Sequence, residues 1–312
     1  MYTFLYCFDN KYNSQAFTSI ISLLNNVSKN IKINVIHTDM ADESFIPKEI
    51  LSHNKLETIN VFKFNNSNLK FPNISGNHVS EATYYRMYFE KYILLEIEKI
   101  VYVDSDIVFL KCPVKGLESI MNELDNSDYV LSAKTEKEMF TNNLQKSKDL
   151  NINSLRYFNA GMMVIDIKKW RNNDVENKLV SLQDELSEFI EFWDQDVLNA
   201  FFDGGYIELP NSHNLFIDLA LEESSKITAV TNDAISIHYI GKTKPWSIKG
   251  ILQMDSLHFQ KAYRLFSNSE FFITHSVRKR SLLILIKSIF NLKIFNVDKP
   301  FSFFLSALRS MI

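Results

Sequence analysis

The chain has few of the residues that form the common nucleotide-binding loops and disulfide frameworks. Its 312 residues include 7 glycines, 6 prolines and 2 cysteines. Neither G-x-G-x-x-G, the pattern of dinucleotide-binding domains, nor G-x-x-x-x-G-K-[ST], the pattern of P-loop NTPases, occurs in it. The G-x-S-x-G pattern of serine hydrolases is also missing. If this chain binds a nucleotide, we therefore expect a metal ion to provide much of the contact with the phosphates.

The two cysteines and the N-terminal segment bear on the cellular location. Cys7 lies in an apolar segment and Cys112 precedes a proline, which is typical of small buried side chains in a reducing compartment. The first apolar segment has no basic region before it and is followed at once by Asp9 and Asn10, so it is typical of a first strand and not of a signal peptide. No stretch reaches the roughly 20 apolar residues that span a bilayer. We expect a cytoplasmic protein.

The charge is unevenly distributed along the chain. The net charge of −3 and the pI near 6.2 argue against nucleic acid as a partner, because binding to a phosphate backbone needs a basic surface. From His275 onward, however, seven basic residues accompany one acid. These basic residues alternate with Leu, Ile and Phe, as in helices that lie on an anionic membrane. We therefore expect a domain over 1–270 and a basic amphipathic tail over 271–312 on the inner face of the cell membrane; the alternative is a tail packed on the domain or on another copy.

The order of apolar segments predicts an α/β fold. The predicted strands cover residues 2–8, 33–37, 58–64, 100–103, 129–133, 161–166 and 234–237. The predicted helices cover 16–24, 47–56, 82–95 and 175–190, with one more beginning near Trp193, and a loop is predicted over 65–77. Alternation of strands and helices favours parallel βαβ units, in which ligands bind beyond the carboxyl ends of the strands. Asp9, Asp104 and Asp106 all fall at such ends.

An apolar strand runs directly into two acids. Residues 100–103 read Ile-Val-Tyr-Val and are followed by Asp104, Ser105 and Asp106. Because residues i and i+2 of a strand face the same side, we expect both carboxylates to face one ion while Ser105 points away. Hard divalent cations prefer oxygen ligands and are shared with substrate phosphates. Asp104 and Asp106 are therefore candidate ligands of Mg²⁺ or Mn²⁺, and a solvated turn is the alternative.

Six short segments follow one another in a characteristic order. They are Asp9-Asn10, Tyr84-Tyr85-Arg86, YVDSD at 102–106, YFNAG at 157–161, WDQDVLN at 193–199 and HYIGKTKPW at 238–246. Together they resemble the retaining glycosyltransferase family 8, whose bacterial members include lipopolysaccharide and lipooligosaccharide galactosyl- and glucosyltransferases. The resemblance covers roughly residues 1–265. It implies a GT-A fold, which is a single nucleotide-sugar-binding α/β domain with a mixed, mainly parallel sheet.

The resemblance also implies a UDP-sugar donor and a metal ion. In the family the ion is held by both acids of the D-x-D segment and by the histidine of the H-Y-x-G-x-x-K-P-W segment, which here are Asp104, Asp106 and His238. Two carboxylates and one imidazole suit Mn²⁺ better than Mg²⁺, which stays the alternative. Without the resemblance, His238 is equally a buried histidine at the end of a strand. Lys244 is implied beside the diphosphate, where its ammonium would neutralise the leaving group.

Further donor contacts are implied at the other segments. Asp9 and Asn10 are expected near the uridine and Gly241 near the diphosphate, where a missing side chain lets the backbone approach. Side-chain amides and carboxylates offer directional hydrogen bonds to sugar hydroxyls. The expected set around the hexose, beside Asp104 and Lys244, consists of Arg86, Ser105, Asn159, Ala160, Gly161, Asp194 and Gln195. Asp194 has an alternative role as the N-cap of a helix.

Retention of configuration, with an α-linked product, is part of what the resemblance implies. A double displacement needs a carboxylate beneath the anomeric carbon. The family position nearest that carbon is the amide of Gln195 in this chain, and an amide is a poor nucleophile. We therefore favour attack of the acceptor hydroxyl on the face that UDP leaves, with Lys244 and the metal stabilising the diphosphate. Asp194 as the nucleophile stays open.

Two positions differ from family members: the first bears on the contact with the uracil, and the second leaves the acceptor open. Phe8 precedes Asp9 where some members have a second acid, and Lys-Thr-Glu at 134–136 occupies a region where some galactosyltransferases have an acceptor-facing aspartate. We predict transfer from UDP-galactose or UDP-glucose to a saccharide or lipid-linked saccharide of lipopolysaccharide, capsule or another surface glycan. A metal-dependent nucleotidyltransferase and a catalytically silent nucleotide-sugar-binding protein are the alternatives.

Overall fold

A computed structural model describes residues 2–65, 69–72, 80–137, 139, 144–221 and 232–312 of the protein. Most of the loop predicted over 65–77 lies outside these residues. The strands are β1 (Tyr2–Phe8), β2 (Ile31–His37), β3 (Leu56–Lys63), β4 (Lys99–Val103), β5 (Ile107–Phe109), β6 (Leu131–Thr135), β7 (Phe158–Asp166), β8 (Ile207–Glu208), β9 (Leu215–Ile217) and β10 (Ser236–Tyr239). Seven of them form one sheet in the order β3-β2-β1-β4-β7-β6-β8, and β5, β10 and β9 form a second.

Parallel pairing dominates the large sheet. β1 pairs in parallel with β2 and β4, β2 pairs in parallel with β3, and β6 pairs in parallel with β8. Only β7 runs antiparallel to its neighbours β4 and β6. β1 and β7 are buried along their whole length, as expected of strands that are covered on both faces. The mixed, mainly parallel sheet predicted from the sequence is confirmed.

Helices cover both faces of this sheet. The helices within the described residues are α1 (Asn13–Asn26), α2 (Lys48–Leu51), α3 (Val114–Asp125), α4 (Leu144–Asp149), α5 (Ile167–Asn172), α6 (Val175–Glu185), α7 (Trp193–Phe202), α8 (Ile248–Ile251), α9 (Ser256–Tyr263), α10 (Arg278–Phe290) and α11 (Pro300–Arg309). Leu5 and Tyr102 pack in one hydrophobic cluster with α5, α6 and α7, whereas Phe4 and Val101 pack in another with α1 and α3. Adjacent residues of one strand thus serve opposite clusters, as strand geometry requires.

One predicted helix is wrong. The segment 82–95 forms two 3₁₀ turns, Glu81–Met87 and Glu90–Tyr92. Residues 84–89 are buried without interruption, and an α-helix would turn part of such a run towards solvent. Two other helices are shorter than predicted. α2 ends at Leu51 and not at residue 56, where β3 already begins. α6 ends at Glu185 and not at residue 190, so the last apolar residues of its pattern lie beyond its final turn.

The chain crosses from the large sheet to the small one between β4 and β5. β5 pairs antiparallel with β10, which pairs in parallel with β9. The crossing consists of Asp104, Ser105 and Asp106. The acidic segment therefore lies at the junction of the two sheets, beyond the carboxyl end of β4, as the sequence predicted.

The C-terminal segment packs on α8 with one side. Leu285 of α10 and Phe303 of α11 are fully buried in a cluster with Ile248 and Ile251. The other side exposes apolar residues of both helices. Within the described residues, no helix combines the length and the apolar character needed to cross a membrane. The division at residue 270 stays a prediction.

Candidate active site

Asp104, Ser105 and Asp106 form a turn, whereas the sequence analysis expected the two carboxylates to share one side through the alternation of a strand. β4 ends one residue before Asp104, whose N–H donates to the Gly161 carbonyl at 2.8 Å. The Ile107 N–H donates to the Asp104 carbonyl at 3.2 Å and closes the turn. Ser105 is buried. The two carboxylates therefore approach each other through a turn that is hydrogen-bonded to β7, and not through the two-residue repeat of a strand.

The three predicted metal ligands lie together. One ligand atom from each of Asp104, Asp106 and His238 lies within 4.8 Å of the other two. Asp106 Oδ1 is 3.3 Å from His238 Nε2, and Asp106 Oδ2 accepts a hydrogen bond from Lys244 Nζ at 2.7 Å. Burial would raise the pKa of the Asp106 carboxyl, but Lys244 and His238 outweigh burial and hold this pKa well below its ordinary value. Asp106 is therefore a carboxylate at neutral pH.

The chemistry of this cluster fits a divalent cation. Asp106 Oδ1 is buried and makes no hydrogen bond with any residue that the structure describes. A buried carboxylate oxygen that accepts no hydrogen bond is costly, so such an atom calls for an explanation. A cation held by Asp106 Oδ1 and His238 Nε2 would satisfy the lone pairs of both atoms. Two carboxylates and one imidazole are a donor set that suits Mn²⁺.

Arg86 links two carboxylates inside the domain. It is 5% exposed, and its Nη1 donates to Asp104 Oδ1 at 3.0 Å and to the Ala160 carbonyl at 2.7 Å. Asp194 lies 2.5 Å from Arg86 Nε and accepts from Thr83 Oγ1 at 2.8 Å. Burial raises the pKa of Asp194 to about 6, although Arg86 and Thr83 oppose the shift. The structure thus joins two predicted sugar-binding residues, Arg86 and Asp194, in a buried unit that orients Asp104.

Asn159 and Gln195 fix the backbone of Ala160 and Gly161. Gln195 Oε1 accepts from the Ala160 N–H at 3.0 Å, and Asn159 Oδ1 accepts from the Gly161 N–H at 3.0 Å. Gly161 also lies against the ring of His238, because a Cβ at this position would be 2.3 Å from His238 Cε1. The glycine therefore makes room for one of the predicted metal ligands.

Asp9 and Asn10 lie at the carboxyl end of β1. Asp9 Oδ1 accepts from two backbone N–H groups and so caps the 3₁₀ turn Asn10–Tyr12. Burial, together with the charges of Asp106 and Asp9, raises the pKa of Tyr12 to about 12. Tyr12 is thus within electrostatic range of both acids. Asn10 is exposed.

Gly241 and Lys244 follow β10 in a loop that depends on glycine. Gly241 has φ +72°, in the left-handed region that favours glycine. Gly250 leaves room for the loop, since a Cβ there would lie 2.0 Å from the Lys244 carbonyl oxygen. Lys244 Nζ donates to the Tyr239 carbonyl at 2.6 Å as well as to Asp106. The loop therefore holds the ammonium group at the edge of the metal-ligand cluster.

Comparison with known proteins decides the family. The pattern that describes glycosyl transferase family 8 matches residues 3–250, a range that includes all six segments noted above. The chain belongs to glycosyl transferase family 8. The resemblance inferred from the sequence is confirmed.

Several curated relatives are about a quarter identical to this chain over the aligned residues. It is 24% identical over 262 residues to glycosyltransferase GlyF of Streptococcus pneumoniae, with 80% of this chain and 58% of that protein covered. It is 27% identical over 238 residues to the lipopolysaccharide 1,2-glucosyltransferase of Escherichia coli, with 73% and 67% covered. The lipopolysaccharide 1,3-galactosyltransferase of Salmonella typhimurium is 29% identical over 218 residues, with 68% and 63% covered. The chain thus spans about three fifths of the length of these relatives.

Solved structures of similar proteins confirm the GT-A fold. Galactosyltransferase LgtC in complex with donor and acceptor sugar analogs superposes with a TM-score of 0.70 at 18% identity, with 89% of this chain and 99% of that chain covered. The apo form of glycosyltransferase GlyE of Streptococcus pneumoniae superposes with a TM-score of 0.55 at 19% identity, with 94% and 64% covered. At such identities the likeness concerns the fold.

Three polar residues of this family 8 site had no role in the sequence analysis. Asn199 donates to the Phe158 carbonyl at 2.8 Å and accepts from the Phe158 N–H at 2.6 Å, which joins α7 to β7. Asn199 is the last residue of the WDQDVLN segment. Apart from that segment, the sequence shows only that it is an amide in a predicted helix. Thr83 holds Asp194, and Asn214 contacts His238. Neither of these two lies in a recognisable segment.

Proposed function

We propose that this protein transfers a hexose from UDP-galactose or UDP-glucose to a hydroxyl group of a saccharide acceptor, with retention and an α-linkage. The observation that carries the proposal is the cluster of Asp104, Asp106 and His238, with Lys244 beside it, in a member of glycosyl transferase family 8. The donor and acceptor classes are supported by relatives that include lipopolysaccharide glucosyl- and galactosyltransferases. The acceptor in this proposal belongs to lipopolysaccharide or a related cell-surface glycan.

Asp104, Asp106 and His238 would hold the metal ion, Mn²⁺ in this proposal and Mg²⁺ as the alternative. A bound ion would supply positive charge to the diphosphate of the donor. Lys244 would supply a second positive charge, since its Nζ lies 2.7 Å from Asp106 Oδ2. Asp9 and Asn10 would contact the uridine, and the backbone at Gly241 would approach the diphosphate.

The burial of Asp194 argues against a double displacement. A nucleophilic carboxylate must reach the anomeric carbon, yet Asp194 is 1% exposed and contacts Arg86 and Thr83. We assign Asp194 a positioning role that acts through Arg86 on Asp104. Gln195 is an amide and no substitute nucleophile. The acceptor oxygen would then bond to the anomeric carbon on the face that UDP leaves, the electron pair of the broken bond would depart with UDP, and the acceptor proton would pass to its β-phosphate.

Nucleotide release from a panel of donors tests the proposal. The protein is incubated with UDP-, GDP- and CMP-sugars and Mn²⁺, with and without saccharide acceptors. We expect release of UDP from a UDP-hexose, and a loss on the order of 10²–10³-fold in Asp106→Asn. Asp125→Asn is the control, because this exposed acid pairs with Lys99 at the surface. The anomeric coupling constant of the product, measured by NMR, should report an α-linkage.

The outcomes separate the proposal from its alternatives. Binding of UDP-sugars without release of UDP would indicate a nucleotide-sugar-binding protein. Release of diphosphate from a nucleoside triphosphate would indicate a nucleotidyltransferase. A β-linked product, or full transfer by Asp106→Asn in EDTA, would contradict the proposal.

We also propose that the C-terminal segment binds the anionic inner face of the cell membrane and brings the site to a lipid-linked acceptor. Arg278, Lys279 and Arg280 at the start of α10 are exposed. Phe290 of α10 and Phe301 of α11 are 85% and 80% exposed, on the side that does not pack on α8. Basic residues near an anionic leaflet contribute about 1 kcal/mol each, and exposed apolar side chains add burial in the acyl boundary.

Liposome flotation tests this membrane proposal. The protein should float with anionic vesicles, less so as salt screens the charges. Phe290→Ser combined with Phe301→Ser should abolish flotation without loss of UDP release. The matched control is Leu95→Ser, because Leu95 is 85% exposed outside the C-terminal segment. Equal flotation of all three proteins would contradict the proposal.

A further inference from the structure

Asn214 is a fully buried amide that contacts three parts of the site. It lies directly before β9, and its Oδ1 is 3.1 Å from His238 Nδ1. Its Nδ2 donates to Asn159 Oδ1 at 3.3 Å, and its carbonyl accepts from Lys134 Nζ at 2.8 Å. Lys134 Nζ also lies 3.6 Å from the centroid of the Phe216 ring. Both the side chain and the backbone of Asn214 are therefore fixed.

The hydrogen-bond partners of Asn159 determine which way its amide points. A backbone N–H only donates and a carboxylate accepts. Asn159 Oδ1 accepts from the Gly161 N–H at 3.0 Å, and Asn159 Nδ2 donates to Glu136 Oε1 at 2.8 Å. The two ends of this amide thus have partners of opposite kinds, and a flipped amide would lose both bonds.

The orientation of Asn159 in turn determines that of Asn214. Asn159 Oδ1 can only accept, so the atom of Asn214 that faces it must be the donor Nδ2. The Oδ1 atom of Asn214 then faces His238 Nδ1. Because that oxygen can only accept, His238 Nδ1 must carry a hydrogen. On a neutral ring, His238 Nε2 is then left with a lone pair.

We infer that Asn214 is a positioning residue, which keeps a hydrogen on His238 Nδ1 and leaves Nε2, on the side of Asp106, as the metal-binding nitrogen. Asp106 Oδ1 lies 3.3 Å from Nε2 and makes no hydrogen bond within the described residues. Because a carboxylate oxygen repels a nitrogen lone pair, this pair of atoms requires a cation between them. The inference rests on the proposed function in one respect, that a metal ion would use this lone pair. A metal-binding histidine generally donates its other N–H to an oriented acceptor, and loss of that acceptor weakens metal binding 10–100-fold.

The same contacts tie the metal-ligand cluster to the wall of the predicted sugar pocket. Asn214 joins His238 to Asn159, and Asn159 fixes the backbone of Gly161, against which the His238 ring lies. Glu136, at the far end, is partly exposed. Asn214 and Glu136 have no assigned role in the sequence analysis. Through Asn159, they determine which nitrogen of His238 carries a hydrogen.

The tautomer is measured directly by long-range ¹H–¹⁵N NMR of histidine-labelled, metal-free protein at pH 8. The chain has 7 histidines, and the His238 signals are those missing from His238→Gln. We expect the Nδ1–H form in the unmodified protein and its loss in Asn214→Leu. Asn214→Asp should keep the Nδ1–H form, because a carboxylate still accepts from this nitrogen. An Nε2–H form in the unmodified protein, or an unchanged tautomer in Asn214→Leu, would overturn the inference.

Mn²⁺ affinity in the presence of UDP is the second measurement, read from the EPR signal of free Mn²⁺. Asn214→Leu should weaken binding 10–100-fold. The matched control is Asn34→Leu, because Asn34 is a buried amide of β2 that accepts from Asn60 Nδ2 at 3.0 Å outside the site. Thermal melting identifies a variant that fails to fold, in which case the tautomer of His238 in the unmodified protein decides the inference. Unmodified protein that binds no Mn²⁺ with UDP would refute the proposed function, while the tautomer would still decide this inference. Mn²⁺ affinity in Asn214→Leu equal to that in Asn34→Leu would overturn it.

Discussion

Gly161→Ala tests the position of the metal-ligand cluster with a single methyl group. An added Cβ would lie 2.3 Å from His238 Cε1 and 2.9 Å from Asn159 Oδ1. Ordinary contacts with a Cβ begin at 3.4 Å, so the His238 ring would have to retreat by about 1.1 Å, the difference between 3.4 and 2.3 Å. Metal–ligand distances tolerate only about 0.2 Å. The variant should therefore lose much of the contribution of His238 to metal binding.

The expected loss is on the order of 10–100-fold in Mn²⁺ affinity, which corresponds to about 1.4–2.7 kcal/mol. Overpacking of the interior should in addition lower the free energy of unfolding by about 1–3 kcal/mol. EPR titration of Mn²⁺ with UDP measures the first effect, and urea denaturation of the metal-free protein measures the second.

Gly205→Ala is the matched control for this experiment. A Cβ at Gly205 would lie 2.9 Å from the Phe202 carbonyl oxygen, in the turn after α7 and away from His238. This control should lose stability and keep its Mn²⁺ affinity. Metal affinity in Gly161→Ala that equals the affinity of the control would refute the reasoning, because the His238 ring would then not depend on the space at residue 161.

Other expected outcomes concern the leaving group, a buried acid and a buried amide. Lys244→Met should lower kcat for transfer by about 10²–10³-fold with a smaller change in KM for the donor, and an unchanged kcat in steady-state kinetics would contradict a role in turnover. Burial raises the pKa of Glu176 from 4.5 to about 7, so the folded chain keeps a proton that the unfolded chain releases, and the contribution of this group to stability falls as the pH rises from about 4.5 to 7. Glu176→Gln should therefore reduce the loss of stability between pH 4.5 and 8 by up to about 3 kcal/mol, whereas parallel pH profiles in urea denaturation would show that Glu176 is not buried in this way. Asn199→Leu leaves two buried backbone groups of Phe158 without partners and should cost about 2–4 kcal/mol in the same assay, and a cost below about 1 kcal/mol would mean that α7 and β7 do not depend on this contact.

The strands and the metal ligands could be predicted because their signals are local. A short apolar run bounded by polar residues predicts a buried strand, and β1, β2 and β4 follow this rule within two residues at their ends. Asp104 and Asp106 stand at the end of such a run, and His238 stands in a segment typical of the family. Their convergence follows from the sheets, because the turn after β4 leads into β5, which pairs with the strand that carries His238.

The remaining features depend on contacts between residues that are far apart in the sequence. The mainly aromatic run at 84–89 is predicted as part of a helix from its own sequence, but its residues are all buried and Glu81–Met87 forms a 3₁₀ helix. Arg86 and Asp194 are 108 positions apart, and each is predictable only as a polar residue in a family segment. Asn214 is a single amide before a short apolar stretch. Its role depends on His238, which lies 24 positions later.

The turn between β4 and β5 also has a mechanical consequence. Asp104 is hydrogen-bonded to the seven-stranded sheet, whereas His238 belongs to the three-stranded sheet, whose strands have only three or four residues each. An ion held by both residues would cross-link the two sheets. At a concentration one hundred times its dissociation constant, such an ion adds about 2.7 kcal/mol to the stability of the state that binds it. Amide hydrogens of β5, β9 and β10 would then exchange with solvent more slowly. The small sheet would open less often by itself, so a larger fraction of its openings would coincide with opening of the large sheet.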